Sequence, residues 1–276
     1  MVSITNPTCE YRSNPLGIDV TAPRLGWQLM SDQPGARQVA YRLRAASDPR
    51  RLCSGEADLW TSGLVESDQS IHVPYGGPRL RSRQRVYWDV EVWDEAGTSS
   101  RSEPAWFEMG LLRRSDWRAR WIGAKLCGGP RSRIPAPYLR KAFDVPAQIR
   151  SARLYVTALG LVECSINGQP VGDDVFVPGW TDYRQRVQYM VYDVTSLVSQ
   201  GQNVLGAILG DGWAVGHIGW EHRQQYYDRP RLLVQLEVML VNGRTLRVVS
   251  DRTWVHQFGP LLENDLLMGE AYDARL

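Results

Sequence analysis

Between Ser165 and Trp213 the chain reads SINGQPVGDDVFVPGWTDYRQRVQYMVYDVTSLVSQGQNVLGAILGDGW. Strand-like runs alternate there with Asn-Gly, Val-Gly, Pro-Gly and Gly-Asp-Gly punctuation, and no helical apolar period persists. A chain written this way is expected to close as an antiparallel sandwich, with its turns gathered at the ends of the sheets. Those turns carry Trp, Tyr, Asp and Arg, residue types that meet a polar ligand through ring faces and hydrogen bonds.

The same grammar runs through the rest of the chain. At 276 residues it is too long for one ordinary sandwich and suits two domains of roughly 110 to 160 residues each. Residues 1–112 are expected to form the first. Pro23–Leu29, Ala40–Ala46, Ser70–Pro74, Gln84–Trp93 and Ala105–Met109 are its short β-like runs. In the fourth run Val86, Trp88, Val90 and Val92 share one parity, which marks a half-buried strand. The opposite parity, Tyr87, Asp89, Glu91 and Trp93, is mixed. This unit reads as an immunoglobulin-like or fibronectin type III-like sandwich.

Residues 113–276 are expected to form the second unit, a jelly roll of the galactose-binding-like type. Its strands are predicted over Tyr138–Phe143, Ser151–Ala158, Leu161–Ile166, Gln188–Asp193, Asn203–Leu209, Leu232–Met239 and Thr245–Ser250. Asn167-Gly168 and Asn242-Gly243 are two-residue hairpin signals, because both residue types tolerate positive φ. Thr195–Val198 is the one place where a helical turn is expected. Ser115–Gly123, with Trp117 and Trp121, reads as a connector pinning one domain to the next.

Composition narrows the function classes. A net charge of +2, from 32 basic and 30 acidic residues, argues against nucleic-acid binding. Arg79–Arg85 is a basic run without aromatic interleaving and reads as a solvated strand edge. No apolar stretch is long enough for a membrane helix, and the start lacks a signal-peptide pattern. Cys9, Cys53, Cys127 and Cys164 have no metal-ligand spacing, so they read as free thiols in a reducing, cytoplasmic setting. No cofactor is expected. His217, Glu221 and His222 lack the spacing of a metal site, and Asp173-Asp174 reads as a solvated turn rather than a calcium site.

Several stretches together resemble one family. NPLGIDVTAPRLGWQL and YWDVEVWDEAGTSSRSEPAWFEMG in the first unit, and NGQPVG, PGWTDY and DVTSLVSQGQN in the second, are similar to the N-terminal accessory domains of bacterial α-L-rhamnosidases of glycoside hydrolase family 78. The second unit also resembles, at fold level, the sugar-binding domain at the front of β-galactosidase-like enzymes. The rhamnosidase resemblance implies an enzyme that releases terminal α-L-rhamnose from glycosides by inversion. Its two carboxyl groups would lie in a downstream helical (α/α)6 barrel, and nothing here has the helical period of one. The chain is therefore expected to stop before the catalytic domain, to contain no catalytic residue and to be inactive alone. Its implied partners are that catalytic domain and a rhamnose-containing glycoside. A stand-alone pair of carbohydrate-binding modules, or a pure spacer, is the alternative.

Two loops are the candidates for contact with sugar. In PGWTDYRQR, Trp180 or Tyr183 would lie against a sugar's C–H face while Asp182 and Arg184 bond its hydroxyls. The alternative is that Trp180 plugs the end of the sandwich and the charged pair is solvated. In Gly210–Trp220, four glycines permit close approach, and Asp211, Trp213, His217 and Trp220 are available to line a shallow cleft. The family resemblance places Tyr then Arg after GDGW, whereas this chain has Ala214 and Val215, which favours domain packing over sugar contact. A nucleotide loop is excluded because no helix is expected to follow the glycines.

Overall fold

The computed structural model describes residues 2–276, divided into a unit ending at Asp116 and a unit beginning at Trp117. The strand Arg85–Asp94 organises the first. Its Val86, Trp88, Val90 and Val92 are all buried, as the alternation predicts, and it pairs with Gln38–Ala46 from Gln38↔Asp94 to Ala46↔Tyr87. Trp60–Thr61 and Val65–Glu66 extend this sheet on one side, Ser99–Arg101 and Ala105–Glu108 on the other. The facing sheet is Ser3–Cys9, Arg24–Met30 and Val73–Pro74.

Two buried polar devices set the register of this unit. Trp27 fills the space between the sheets, and its Nε1 donates to Gln38 Oε1 at 2.9 Å. Gln38 Nε2 in turn donates to the carbonyls of Ser67 and Gln69, both at 3.0 Å, so the indole is held by a fully engaged amide. On the opposite face the cross-strand partners Arg44 and Asp89 form a buried ion pair. The short helix Pro49–Cys53 covers it, and its Leu52 carbonyl accepts from Arg44 at 3.3 Å. That helix is absent from the sequence expectation. It is one turn, too short for a period, and starts where Asp48 caps Arg50 N ahead of Pro49.

The second unit is two antiparallel sheets. One runs Gln169–Pro170, Leu161–Ile166, Gly201–Gly210, Pro137–Val145, Val255–Phe258; the other runs Met190–Asp193, Ile149–Leu159, Arg231–Leu240, Thr245–Val249. Leu232, Val234, Leu236, Val238 and Leu240 form one wall of the core, facing Val162, Ile166, Leu205, Ala207 and Leu209. On the other parity of Arg231–Leu240 the middle residues Gln235 and Glu237 are also buried. Gln235 accepts from Arg118 N at 2.7 Å and donates to Glu237, whose carboxylate also takes Arg247 Nε at 2.9 Å. Residues 117–123 thus lie over this sheet, with Trp117 edge-on to Tyr155 and Tyr189 and Ile122 bridged to Leu232. Residues 113–116 belong with the first unit, because the Asp116 carboxylate accepts from Ser82 Oγ at 2.6 Å and from Arg113 N at 2.9 Å.

Local signals differ in how they resolve. Asn167 and Gly168, at φ 53° and 80°, form a two-residue hairpin between Ile166 and Gln169. At Asn242-Gly243 the loop has three residues instead: Leu240 N donates to Arg244 O at 2.8 Å, and only Gly243 is left-handed. Thr195–Val198 forms a hydrogen-bonded turn rather than a helix, closed by Leu197 N to Val194 O. A C-terminal hairpin, Leu261–Asp265 with Gly269–Tyr272, completes the unit.

The Arg44–Asp89 pair makes a specific prediction. Asp89→Ala strands a buried guanidinium and is expected to cost the first unit about 3–5 kcal/mol, read by denaturant unfolding. The double change Arg44→Met with Asp89→Leu should recover most of that loss. A single Asp89→Ala variant as stable as the parent would show that the pair is not buried in solution.

Candidate functional site

Asp182 builds the Pro178–Arg186 loop. Its carbonyl accepts from Gln185 N and Arg186 N, both at 2.9 Å, while its carboxylate accepts from Arg184 N at 3.2 Å and Gln185 Nε2 at 2.8 Å. Thr181 Oγ1 closes the loop onto the Arg186 carbonyl. Asp182 is therefore spent largely on its own loop.

The loop throws its aromatic residues in opposite directions. Trp180 faces out at 51% exposure and stacks on Trp213, with ring centroids 4.9 Å apart and planes 17° from parallel. Two residues separated by 33 positions thus form one flat aromatic tile. Tyr183, expected to face a ligand, turns inward instead. It is 4% exposed and packs with Leu159, Ala214 and Val215, edge-on to Tyr226. Burial, aided by Tyr226, pushes its phenol up to about 12. Arg184 reaches the Gln225 carbonyl at 3.3 Å and lies over the Tyr226 ring. Of the first loop's candidates, Trp180 and Arg184 remain on the surface with the rim of Asp182.

Asp211 is the second correction. Only 1% exposed, it forms an ion pair with the equally buried Arg223, whose Nη1 also donates to the Ser132 carbonyl at 2.6 Å. Its backbone N donates to Asn264 Oδ1 at 2.7 Å. Burial raises the Asp211 carboxyl to about 7, against the pull of Arg223. An acid held this way is a structural anchor and does not present itself to sugar. Gly212, at φ +51°, is required by space as well as conformation, since a Cβ there would stand 2.8 Å from Leu161 Cγ.

After that glycine comes a single helical turn, Gly212–Val215, where none was expected. Ala214 and Val215 are fully buried in it against Tyr183, which gives the two small residues after GDGW a packing role. His217 also turns away from the tile. Its backbone N and Nδ1 both meet Asp265 Oδ2, at 2.9 and 3.0 Å. Burial would raise Asp265, but bonds from His217 and from the Leu267 and Met268 amides outweigh it and hold the carboxyl low. Trp220 stands fully exposed. Near the other candidate turn, Asp174 accepts from Tyr192 Oη at 2.8 Å, and no group of three His, Cys, Asp or Glu side chains among the described residues is placed to hold a metal.

Sequence reasoning missed Arg223, Tyr226, Asn264 and Asp265. No local pattern identifies them, because their partners lie from 12 to 53 residues away. The anchor is open to test. Arg223→Met leaves Asp211 buried without its cation and should cost up to about 3–5 kcal/mol at alkaline pH, where Asp211 would have to ionise. Because the folded carboxyl is raised to about 7 even with Arg223 present, Asp211 is neutral in both folded forms well below that pH, so the charge penalty should be small at about pH 4–6 and grow as pH rises through and above 7. Thermal unfolding of both forms from pH 4 to 8 checks this; a penalty independent of pH would refute it.

Comparison with known proteins follows the same two units. Residues 4–113 match the model described as Rha78A-like, N-terminal immunoglobulin domain, and residues 147–276 match the model described as Alpha-L-rhamnosidase N-terminal domain. An alpha-L-rhamnosidase of Formosa agariphila is 39% identical over 95% of this chain, which spans 29% of that relative. The structure of the alpha-L-rhamnosidase from Dictyoglumus thermophilum superposes with a TM-score of 0.90 at 34% identity, over 99% of this chain and 31% of that one. The Streptomyces avermitilis alpha-L-rhamnosidase complexed with L-rhamnose gives 0.88 at 29% identity, over 100% of this chain and 43% of its own. The chain thus spans about a third of the length of the relatives it matches, and through both of its domains it belongs to the α-L-rhamnosidase family, as that family's N-terminal portion.

Proposed function

We propose that this chain is the non-catalytic, N-terminal part of an α-L-rhamnosidase, an enzyme hydrolysing terminal α-L-rhamnose from glycosides by inversion. Its two sandwiches would support a downstream catalytic barrel, and the Trp180–Trp213 tile would meet that barrel or its sugar. The observation that carries the reading is the agreement of both domains, in order, with α-L-rhamnosidases that are about three times as long.

The carboxylates near the loops support the non-catalytic role. Inverting hydrolysis needs an acid and a base about 6.5–9.5 Å apart across a sugar. Asp182 ties its own loop, Asp211 is closed off by Arg223, and Asp265 is bonded by His217 and two backbone amides. Each of these acids is engaged in structure rather than free to protonate a leaving group or activate water. The tile supports a role at an interface, since the Trp180 indole left half in water over Trp213 is a poor use of apolar surface in a free domain. The four unbridged thiols favour the reducing, cytoplasmic setting.

The test is activity of the chain by itself. Incubated with p-nitrophenyl α-L-rhamnoside at micromolar protein, it should release no product above buffer. A single exposed aromatic tile should hold a monosaccharide no better than about millimolar, roughly 4 kcal/mol. Turnover that stays with the chain through repurification would overturn the proposal.

A further inference from the structure

The outer face of the five-stranded sheet carries a transverse row, Glu163–Ile208–Tyr138–Gln257, with one residue from each of four adjacent strands. On the Gly201–Gly210 strand the residues flanking Ile208 on this face are Gly206 and Gly210. A Cβ at Gly206 would stand 2.9 Å from Ser165 Oγ, and one at Gly210 would stand 2.9 Å from Asn264 Oδ1. The Ser165 hydroxyl and the Asn264 amide therefore close over the two glycines, and they set polar groups on either side of Ile208. Val175–Val177 and the C-terminal hairpin flank this row and enclose a cavity of about 550 Å³. Cavities of about 350 and 650 Å³ adjoin it, and all three share Ile208. Each compartment by itself lies in the size range of small-ligand sites, and together they form an extended trough.

Its chemistry is selective. Tyr138 borders two of the three compartments, and its ring lies against Gly259, where a Cβ would come within 3.0 Å. Tyr272, 67% exposed, and the exposed carboxylates of Glu163 and Glu270 line the same central cavity. Burial, then Tyr272, Glu163 and Glu270, push the Tyr138 phenol above its ordinary value, which reflects how closely these groups gather. Phenol rings offer faces to the C–H side of a pyranose, and carboxylates accept bonds from hydroxyls. The same carboxylates repel uronates and phosphates. An extended peptide finds no sheet edge here, because the three strands that carry Glu163, Ile208 and Tyr138 are paired on both sides.

We propose that this trough is a carbohydrate subsite separate from the Trp180–Trp213 tile, taking a neutral oligosaccharide along Tyr138 and Tyr272. The choice of carbohydrate rests on the rhamnosidase reading; the position of the trough does not.

The test is a titration of the ¹⁵N-labelled chain with rutinose, a neutral rhamnosyl-glucose disaccharide, followed by amide chemical shifts. Saturable changes are expected at Gly206, Ile208, Gly210 and Tyr272, in the millimolar range. Tyr272→Ala should weaken binding about fivefold, the loss of one ring contact. Glu163→Gln should weaken it less, and both exposed positions leave the fold intact. A digalacturonate should produce no changes in the trough. The proposal is overturned by shifts confined to Trp180 and Trp213, by no shifts at saturating sugar, by equal binding in both variants, or by hexalysine occupying the trough where rutinose does not. Any of these leaves the rhamnosidase reading standing, since that reading is decided by the activity assay.

Discussion

The ion pair between Asp211 and Arg223 holds the loop-bearing end of the second unit together. Arg223 ties Asp211 to the Ser132 carbonyl, and the Asp211 amide reaches Asn264 in the C-terminal hairpin. Three segments distant in sequence are thereby fixed at one point, and the turn Gly212–Val215 that leaves it carries Trp213 to the stack with Trp180. A buried pair of this kind contributes little net stability compared with apolar packing of the same volume. What it contributes is position. A misplaced loop would leave a charge uncompensated in the interior, so alternative arrangements of the Gly-Asp-Gly segment are strongly disfavoured.

Around this point the molecule separates support from contact by direction. Tyr183, Ala214 and Val215 face inward and make a small satellite core beneath the loops, while Trp180, Trp213 and Arg184 lie above it. The five-stranded sheet follows the same rule on a larger scale. Its inward parity is Val162, Ile166, Leu205, Ala207 and Leu209, and its outward parity includes Gly206, Ile208 and Gly210. Because side chains alternate strictly along a strand, one sequence writes a dense core and an outer face at once. The two exposed features, tile and trough, are both consequences of that division.

Much of this was legible in the residues. The all-β character, the antiparallel order of sandwiches and the buried parity at Val86, Trp88, Val90 and Val92 follow from spacing that needs only local physics. So does the Asn167-Gly168 hairpin, whose two positive φ angles those residue types accept. For Trp180 the sequence left two readings open, a ligand-facing ring or a plug at the end of the sandwich, and its 51% exposure comes from the structure. Tyr183 was not separable from it, because a three-residue offset on an irregular loop carries no periodicity from which to read direction.

The sequence by itself thus determined which runs become strands, where the chain turns, and the family signature spread across both domains. Only the tertiary structure decided which turn residues are anchors and which are surfaces. Asp211 and Asp182 look alike in sequence, each in a Gly-rich or aromatic turn, yet one is sealed by Arg223 and the other closes its own loop. The same holds for the glycines at 206 and 210, ordinary in sequence but required in the fold where Ser165 and Asn264 close over them. The physical reason is range. Strand character and turn conformation are fixed by neighbours, whereas strand pairing, burial and charge pairing are fixed by residues that reach each other only once the sheets have closed.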